Sequence, residues 1–209
     1  MITLHDPTHL YEGTISDRTR RIARIVSVVT QPQVISIILY AIVCLVCDSL
    51  TEFLTMYGIC VFFGCIFPII EVLFYSKKFH NEDGDIAKKE DRFMPLLLGD
   101  ISYVLGAVAL WLADAPRLIF ALMVCYVLVT FSFLLISPYW KISLHAVGTV
   151  GVNMAISVAF FPWGLLLYLM LPMICWARYV LRKHTPAQLV AGAVDGLVIT
   201  GLVLFLMLP

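Results

Sequence analysis

Residues 118–136 read Leu-Ile-Phe-Ala-Leu-Met-Val-Cys-Tyr-Val-Leu-Val-Thr-Phe-Ser-Phe-Leu-Leu-Ile, an unbroken run without a charge. A helix needs about 20 predominantly apolar residues to cross the hydrocarbon core of a bilayer. Six more apolar segments surround this run, at residues 34–47, 53–74, 95–113, 146–161, 164–179 and 189–208. The chain of 209 residues is 61% hydrophobic and 13% charged. Soluble domains carry about 25% charged residues. The fold class that follows is all-α, a polytopic transmembrane helical bundle of six or seven spans.

The first segment is short unless it starts back at Ile25, with Pro32 near its entrance. The fifth and sixth are separated only by Phe161-Pro162-Trp163, so they must form a tight helical hairpin. Trp111, Trp140, Trp163, Tyr75, Tyr103 and Tyr139 lie mostly near segment ends, as interfacial aromatic residues do. Gly192-x-x-x-Gly196 lets two helices approach closely. The six cysteines lie in or beside apolar runs and read as small buried residues. The Cys44-x-x-Cys47 pair lacks a second ligand pair. No cleavable leader is visible, since the first long apolar run begins only near Val34.

Two regions result. Residues 1–30 form a polar tail and a basic interfacial helix, capped by Ser16 before Asp17 and carrying Arg18, Arg20, Arg21 and Arg24. Residues 31–209 form the membrane-embedded domain. The N-terminal arginines, Lys77, Lys78, Lys88, Lys89, Arg92, Lys141, Arg178, Arg182 and Lys183 all fall on one side if seven spans alternate. The positive-inside rule then places the N-terminus in the cytoplasm. Net charge is zero, and no nucleic-acid partner is expected.

Polar residues gather in the loop at 81–95, in Lys141-Ile142-Ser143-Leu144-His145, and in the stretch 178–188 from Arg178 to Gln188. Two spans separate each cluster from the next, so all three meet at one membrane face. Arginine and lysine clamp phosphate oxygens. One histidine can attack phosphorus while another protonates the leaving oxygen. The acids Glu82, Asp83, Asp85, Glu90 and Asp91 match no metal-ligand spacing.

Arg178, five residues, then His184 resembles the last motif of the type 2 phosphatidic acid phosphatase superfamily, in its small prokaryotic membrane branch. Lys141-Ile142-Ser143-Leu144-His145 resembles the middle motif, Pro-Ser-Gly-His. Arg92 with Pro95 resembles the first. The resemblance covers roughly residues 85–200. It implies a metal-independent lipid phosphatase acting on a lipid phosphate or prenyl diphosphate, with no cofactor. His184 would be the nucleophile and His145 the general acid. Arg92, Arg178 and Ser143 would hold phosphate, with Lys88 or Lys89 replacing the motif lysine that falls on Asp85. Gln188 stands where an acid orients the nucleophile, Leu144 stands for the glycine and Ala177 for a serine. The implied setting is an integral protein of a prokaryotic plasma membrane, and the distribution of basic residues puts the site at its cytoplasmic face.

Bland readings stand beside these. His184 and His145 fit interfacial histidines met by water, and Lys77 and Lys78 fit headgroup anchors. His5, His9 and His80 read as exposed loop residues. Asp100 and Asp195 lie inside apolar segments, where a charge costs ~2.5–3.5 kcal/mol on insertion scales, so each should face a partner or a cavity. Asp100 is placed to line the same pocket as Arg92. Rival functions are a small transporter using those two acids, a non-catalytic lipid-phosphate binder, and a magnesium-dependent transferase whose paired aspartates are not found.

Overall fold

The computed structural model describes residues 4–78 and 92–208. Asp85, Lys88, Lys89 and the acidic residues at 82–91 lie outside the described residues, as do His80 and the side chains of Lys77 and Lys78. Among the described residues all regular structure is helical, so the all-α reading holds.

Each of the seven apolar segments is found in helix. Helix α1 (Asp17–Val29) starts where Ser16 accepts a hydrogen bond from Thr19 N–H at 3.1 Å, the expected cap. It breaks at Thr30 and Gln31, and α2 (Pro32–Val43) follows with Pro32 at its first position. The two helices are bent by 46°. Helix α3 (Leu50–Val61) passes through a π-helical turn into α4 (Phe67–Lys78), giving one crossing over Leu50–Tyr75. Then come α5 (Phe93–Leu112), α6 (Arg117–Ile136), α7 (Leu144–Ala159), the short α8 (Trp163–Leu166), α9 (Met170–Val180) and α10 (Pro186–Met207). Among the described residues, five helical stretches are long and apolar enough to cross a membrane, and the bent α1–α2 pair makes a sixth if it is one span. At 16 residues, α7 is shorter than a full crossing.

That helix is instead the enclosed centre of the bundle. His145, Val147, Val150, Val152, Asn153 and Ala155 along it are buried, and it packs on α2, α8, α9 and α10. The outer faces of the bundle are apolar. Leu105, Trp111, Trp163, Val190, Val198 and Phe205 are all exposed, the inverse of a soluble surface and suited to lipid contact. The hairpin at Phe161–Trp163 folds α8 and α9 back along α7, as the spacing requires.

Close approach of α10 to α7 depends on the two glycines singled out above. A Cβ at Gly192 would lie 2.6 Å from the Ser143 carbonyl oxygen, and one at Gly196 would lie 2.8 Å from that of Val147. Backbone atoms cannot swing aside as a flexible side chain can. Gly192→Ala is therefore expected to destabilise the protein by about 1–3 kcal/mol through overpacking. Thermal unfolding of detergent-purified protein checks it, and an unchanged midpoint would contradict it. Because Ser143 opens the helix that carries His145, the displacement reaches the candidate site as well.

Candidate active site

The junction between α9 and α10 sets the spacing of Arg178 and His184. Helix α9 ends with Lys183 N–H bonded to the Arg178 carbonyl at 3.0 Å and Arg182 N–H to that of Tyr179 at 2.8 Å. These are the two bonds of a Schellman cap. Arg182 stands at its left-handed position with φ 58, where glycine is commoner. Two residues later α10 begins on a capping box. Thr185 Oγ1 accepts from Gln188 N–H, and Gln188 Oε1 accepts from Thr185 N–H at 3.1 Å. The chain thus reverses tightly between two rigid helices, and His184 is fixed in the turn.

Arg178 and His184 are 3% and 1% exposed. Arg178 Nη2 lies 3.4 Å from His184 Nε2. A guanidinium only donates, so Nε2 presents its lone pair to Arg178 and the ring proton of the neutral imidazole sits on Nδ1. Arg178 Nη1 also donates to Ser27 Oγ at 2.8 Å.

Ser27 joins this pair to the second histidine. His145 Nε2 lies 3.1 Å from the Ser27 carbonyl oxygen. That carbonyl is available because of the α1–α2 break: Gln31 N–H, its normal helical donor, bonds Val28 O at 3.2 Å instead. A carbonyl only accepts, so His145 Nε2 carries a proton. Ser27 has no motif around it. Only its place after Ala23 on the inward stripe of α1 marks it in the sequence.

Arg92, 5% exposed, stands at the N-cap of α5. Arg92, His145, Arg178 and His184 all line one cavity of about 190 Å³, joined at its mouth by Arg24 and Lys183. Each of the three sequence clusters thus contributes described residues to one cavity: Arg92 from the first, His145 from the second, and Arg178 and His184 from the third. The rest of the lining is mainly apolar, with Glu71, Thr130 and Thr200 among it.

Several expected roles change. Gln188 does not orient His184, since its Oε1 is engaged by the Thr185 backbone. Ser143 is fully buried, its hydroxyl caps α7 through Ala146 N–H at 3.4 Å, and it does not line the cavity. It cannot reach a phosphate there. Asp100 is likewise not a lining residue; Glu71 takes that place, buried, with Oε1 lacking a hydrogen-bond partner among the described residues. A single carboxylate inside the 53–74 segment was the signal for it. Asp195 is paired with another helix, accepting from Ser132 Oγ at 2.9 Å. Neither Asp100 nor Asp195 lines this cavity.

No family model, curated protein or solved structure matches the chain. The case for function therefore rests on these residues alone.

The tail before α1, residues 4–16, has no regular secondary structure, but hydrogen bonds hold it against the site. Asp6 accepts from Thr185 Oγ1 at 2.5 Å, from Trp140 Nε1 at 3.2 Å and from the Thr8 backbone and hydroxyl at 2.9 and 2.6 Å. Thr8 Oγ1 in turn accepts from Ala187 N–H at 3.2 Å. Asp6 thus ties the segment before His145 to the turn that holds His184. Partial burial raises its pKa, but the bonds from Thr185, Thr8 and Trp140 more than offset this and leave it below the ordinary carboxylate value of 3.8. A depressed folded-state pKa means the brace is whole at neutral pH and lost only as pH falls through that lowered value. Asp6→Ala is expected to cost on the order of 1–2 kcal/mol of stability, the scale for hydrogen bonds to a charged group. Thermal unfolding at pH 7 reads this directly. A midpoint equal to that of the unmodified protein would leave the brace without energetic content.

Proposed function

We propose that the protein is a membrane phosphatase that needs no metal, acting on a lipid phosphate or prenyl diphosphate through a phosphohistidine. The observation that carries this reading is the enclosure of two arginines and two histidines in one cavity whose remaining lining is mainly apolar. Buried cations at a phosphate site act in a low dielectric and are fixed before the reaction, which is where electrostatic stabilisation is largest. A phosphate drawn between Arg178 and Arg92 would present phosphorus to His184 Nε2, the nitrogen whose lone pair already faces the guanidinium.

The chemistry balances in two steps. His184 Nε2 forms a bond to phosphorus as the bond to the leaving oxygen breaks, and His145, entering the step as the doubly protonated imidazolium, gives that oxygen a proton. Water then attacks the phosphohistidine, passing a proton back to His145, and inorganic phosphate leaves. With a prenyl diphosphate the first leaving group is the prenyl monophosphate. By the positive-inside rule the site faces the cytoplasm, in a prokaryotic plasma membrane.

A second reading, a non-catalytic lipid-phosphate binder, is favoured by the engagement of Gln188 in the capping box, which leaves that position unable to orient the nucleophile. The test is phosphate release in detergent from phosphatidate, prenyl mono- and diphosphates and phosphatidylglycerophosphate, with and without EDTA. The enzyme reading expects EDTA-insensitive release. A folded, monodisperse sample that binds these ligands and releases nothing supports the binder.

A further inference from the structure

The cavity does not stop at the phosphate level. Tyr103 lies about 16 Å beyond Arg92 along α5, at 1.5 Å of rise per residue, and it lines the same cavity. That depth is roughly half of the ~30 Å hydrocarbon core. The deep walls are Leu39, Leu122, Tyr126, Val152 and Gly151, from α2, α6 and α7. Below the head-group residues, Glu71, Thr130 and Thr200 are polar points on a mainly apolar lining, along which hydrocarbon is stabilised by about 0.8 kcal/mol for each buried methylene.

The inner end is a packed aromatic wall. Tyr103 and Tyr126 meet edge to face with centroids 5.3 Å apart, and Tyr40 backs Tyr126 at 5.7 Å. Tyr126 is anchored, because its hydroxyl bonds that of Ser36, which itself donates to the Pro32 carbonyl at 2.5 Å. Ser36 has one proton, so Tyr126 is the donor to it.

We infer that this cavity takes the substrate's hydrocarbon inside the bundle as a single chain, and that Tyr103 and Tyr126 set the length it accepts. The inference rests on the phosphatase reading for its head group. The volume of about 190 Å³ falls below the roughly 300–1,000 Å³ of ordinary small-molecule sites. So narrow a space favours one slender chain over the two acyl chains of phosphatidate.

Two variants move the limit in opposite directions. Gly151→Leu places bulk midway, where a Cβ already lies 3.3 Å from Thr200 Oγ1. Tyr103→Leu lowers the end wall. The ratio of kcat/KM for geranylgeranyl over geranyl diphosphate is expected to fall at least ~10-fold in the first and to rise in the second, the scale on which pocket size discriminates hydrocarbons. Wild-type protein is expected to prefer either to phosphatidate. Binding of the farnesyl ester of methylenebisphosphonate, whose P–C–P bridge withstands attack at the terminal phosphorus, is measured by calorimetry on the same three proteins, each checked for monodispersity. Tail-dependent binding weakened by Gly151→Leu, without turnover, upholds the tail site and defeats the phosphatase reading. Turnover with a length preference equal in all three proteins does the reverse. Absence of both turnover and binding overturns the inference too.

Discussion

Replacing His184 with alanine is expected to reduce phosphate release on the order of 10⁴-fold or more, the scale seen when a covalent nucleophile is removed. The reason is local. His184 is nearly fully buried in a turn fixed by a Schellman cap on one side and a capping box on the other. No other side chain can take its position, and Arg178 already faces its Nε2. Alanine also leaves a small void, so His184→Asn is the informative companion. It keeps a polar partner for Arg178 and cannot form the phosphoenzyme. Both variants should keep the thermal midpoint within a few degrees while losing release, whereas a binder would retain its ligand affinity in both.

Arg178→Ala is expected to cost about 10²–10³-fold in turnover, as does removal of one preorganised donor from a developing oxyanion. Its loss acts twice. It removes the charge beside His184, and it removes the donor to Ser27 Oγ that holds α1 against the site. Arg178→Lys keeps the charge but not the fork, and one ammonium cannot reproduce the two directions in which Nη1 and Nη2 reach. Lysine is therefore expected to recover only part of the rate. Kinetics on one prenyl diphosphate with wild type and both variants test this, and full recovery by lysine would mean that charge alone is used.

Much of this was legible along the chain and some was not. The apolar runs identify the helices because membrane crossing demands length and apolarity together. The spacing from Arg178 to His184 survives because it is local: a helix end, a turn and a helix start within a few residues. The paired glycines were legible for the same reason, being four apart on one helix face. Gln188 was misread because two local rules competed for it, and the helix start took it. Ser143 was misread likewise, as a cap residue taken for a ligand. Asp6 left no signal at all. Its partners Thr185 and Trp140 are far away in the chain, and no local period places the tail. Ser27 and Glu71 have only faint local signals, a place on an inward stripe and a lone carboxylate in an apolar run, and their place at the cavity follows from how α1 and α4 pack around it.

The most direct measurement is trapping of the covalent intermediate. Purified protein is mixed with prenyl diphosphate radiolabelled at the terminal phosphate and quenched in alkali or in acid within the first turnover. The account predicts label on the protein after the alkaline quench, lost in acid as a phosphoramidate bond requires, mapped to the peptide that holds His184 and absent from His184→Asn. Rapid release of phosphate with no protein-bound label, or label that maps to another residue, would contradict it.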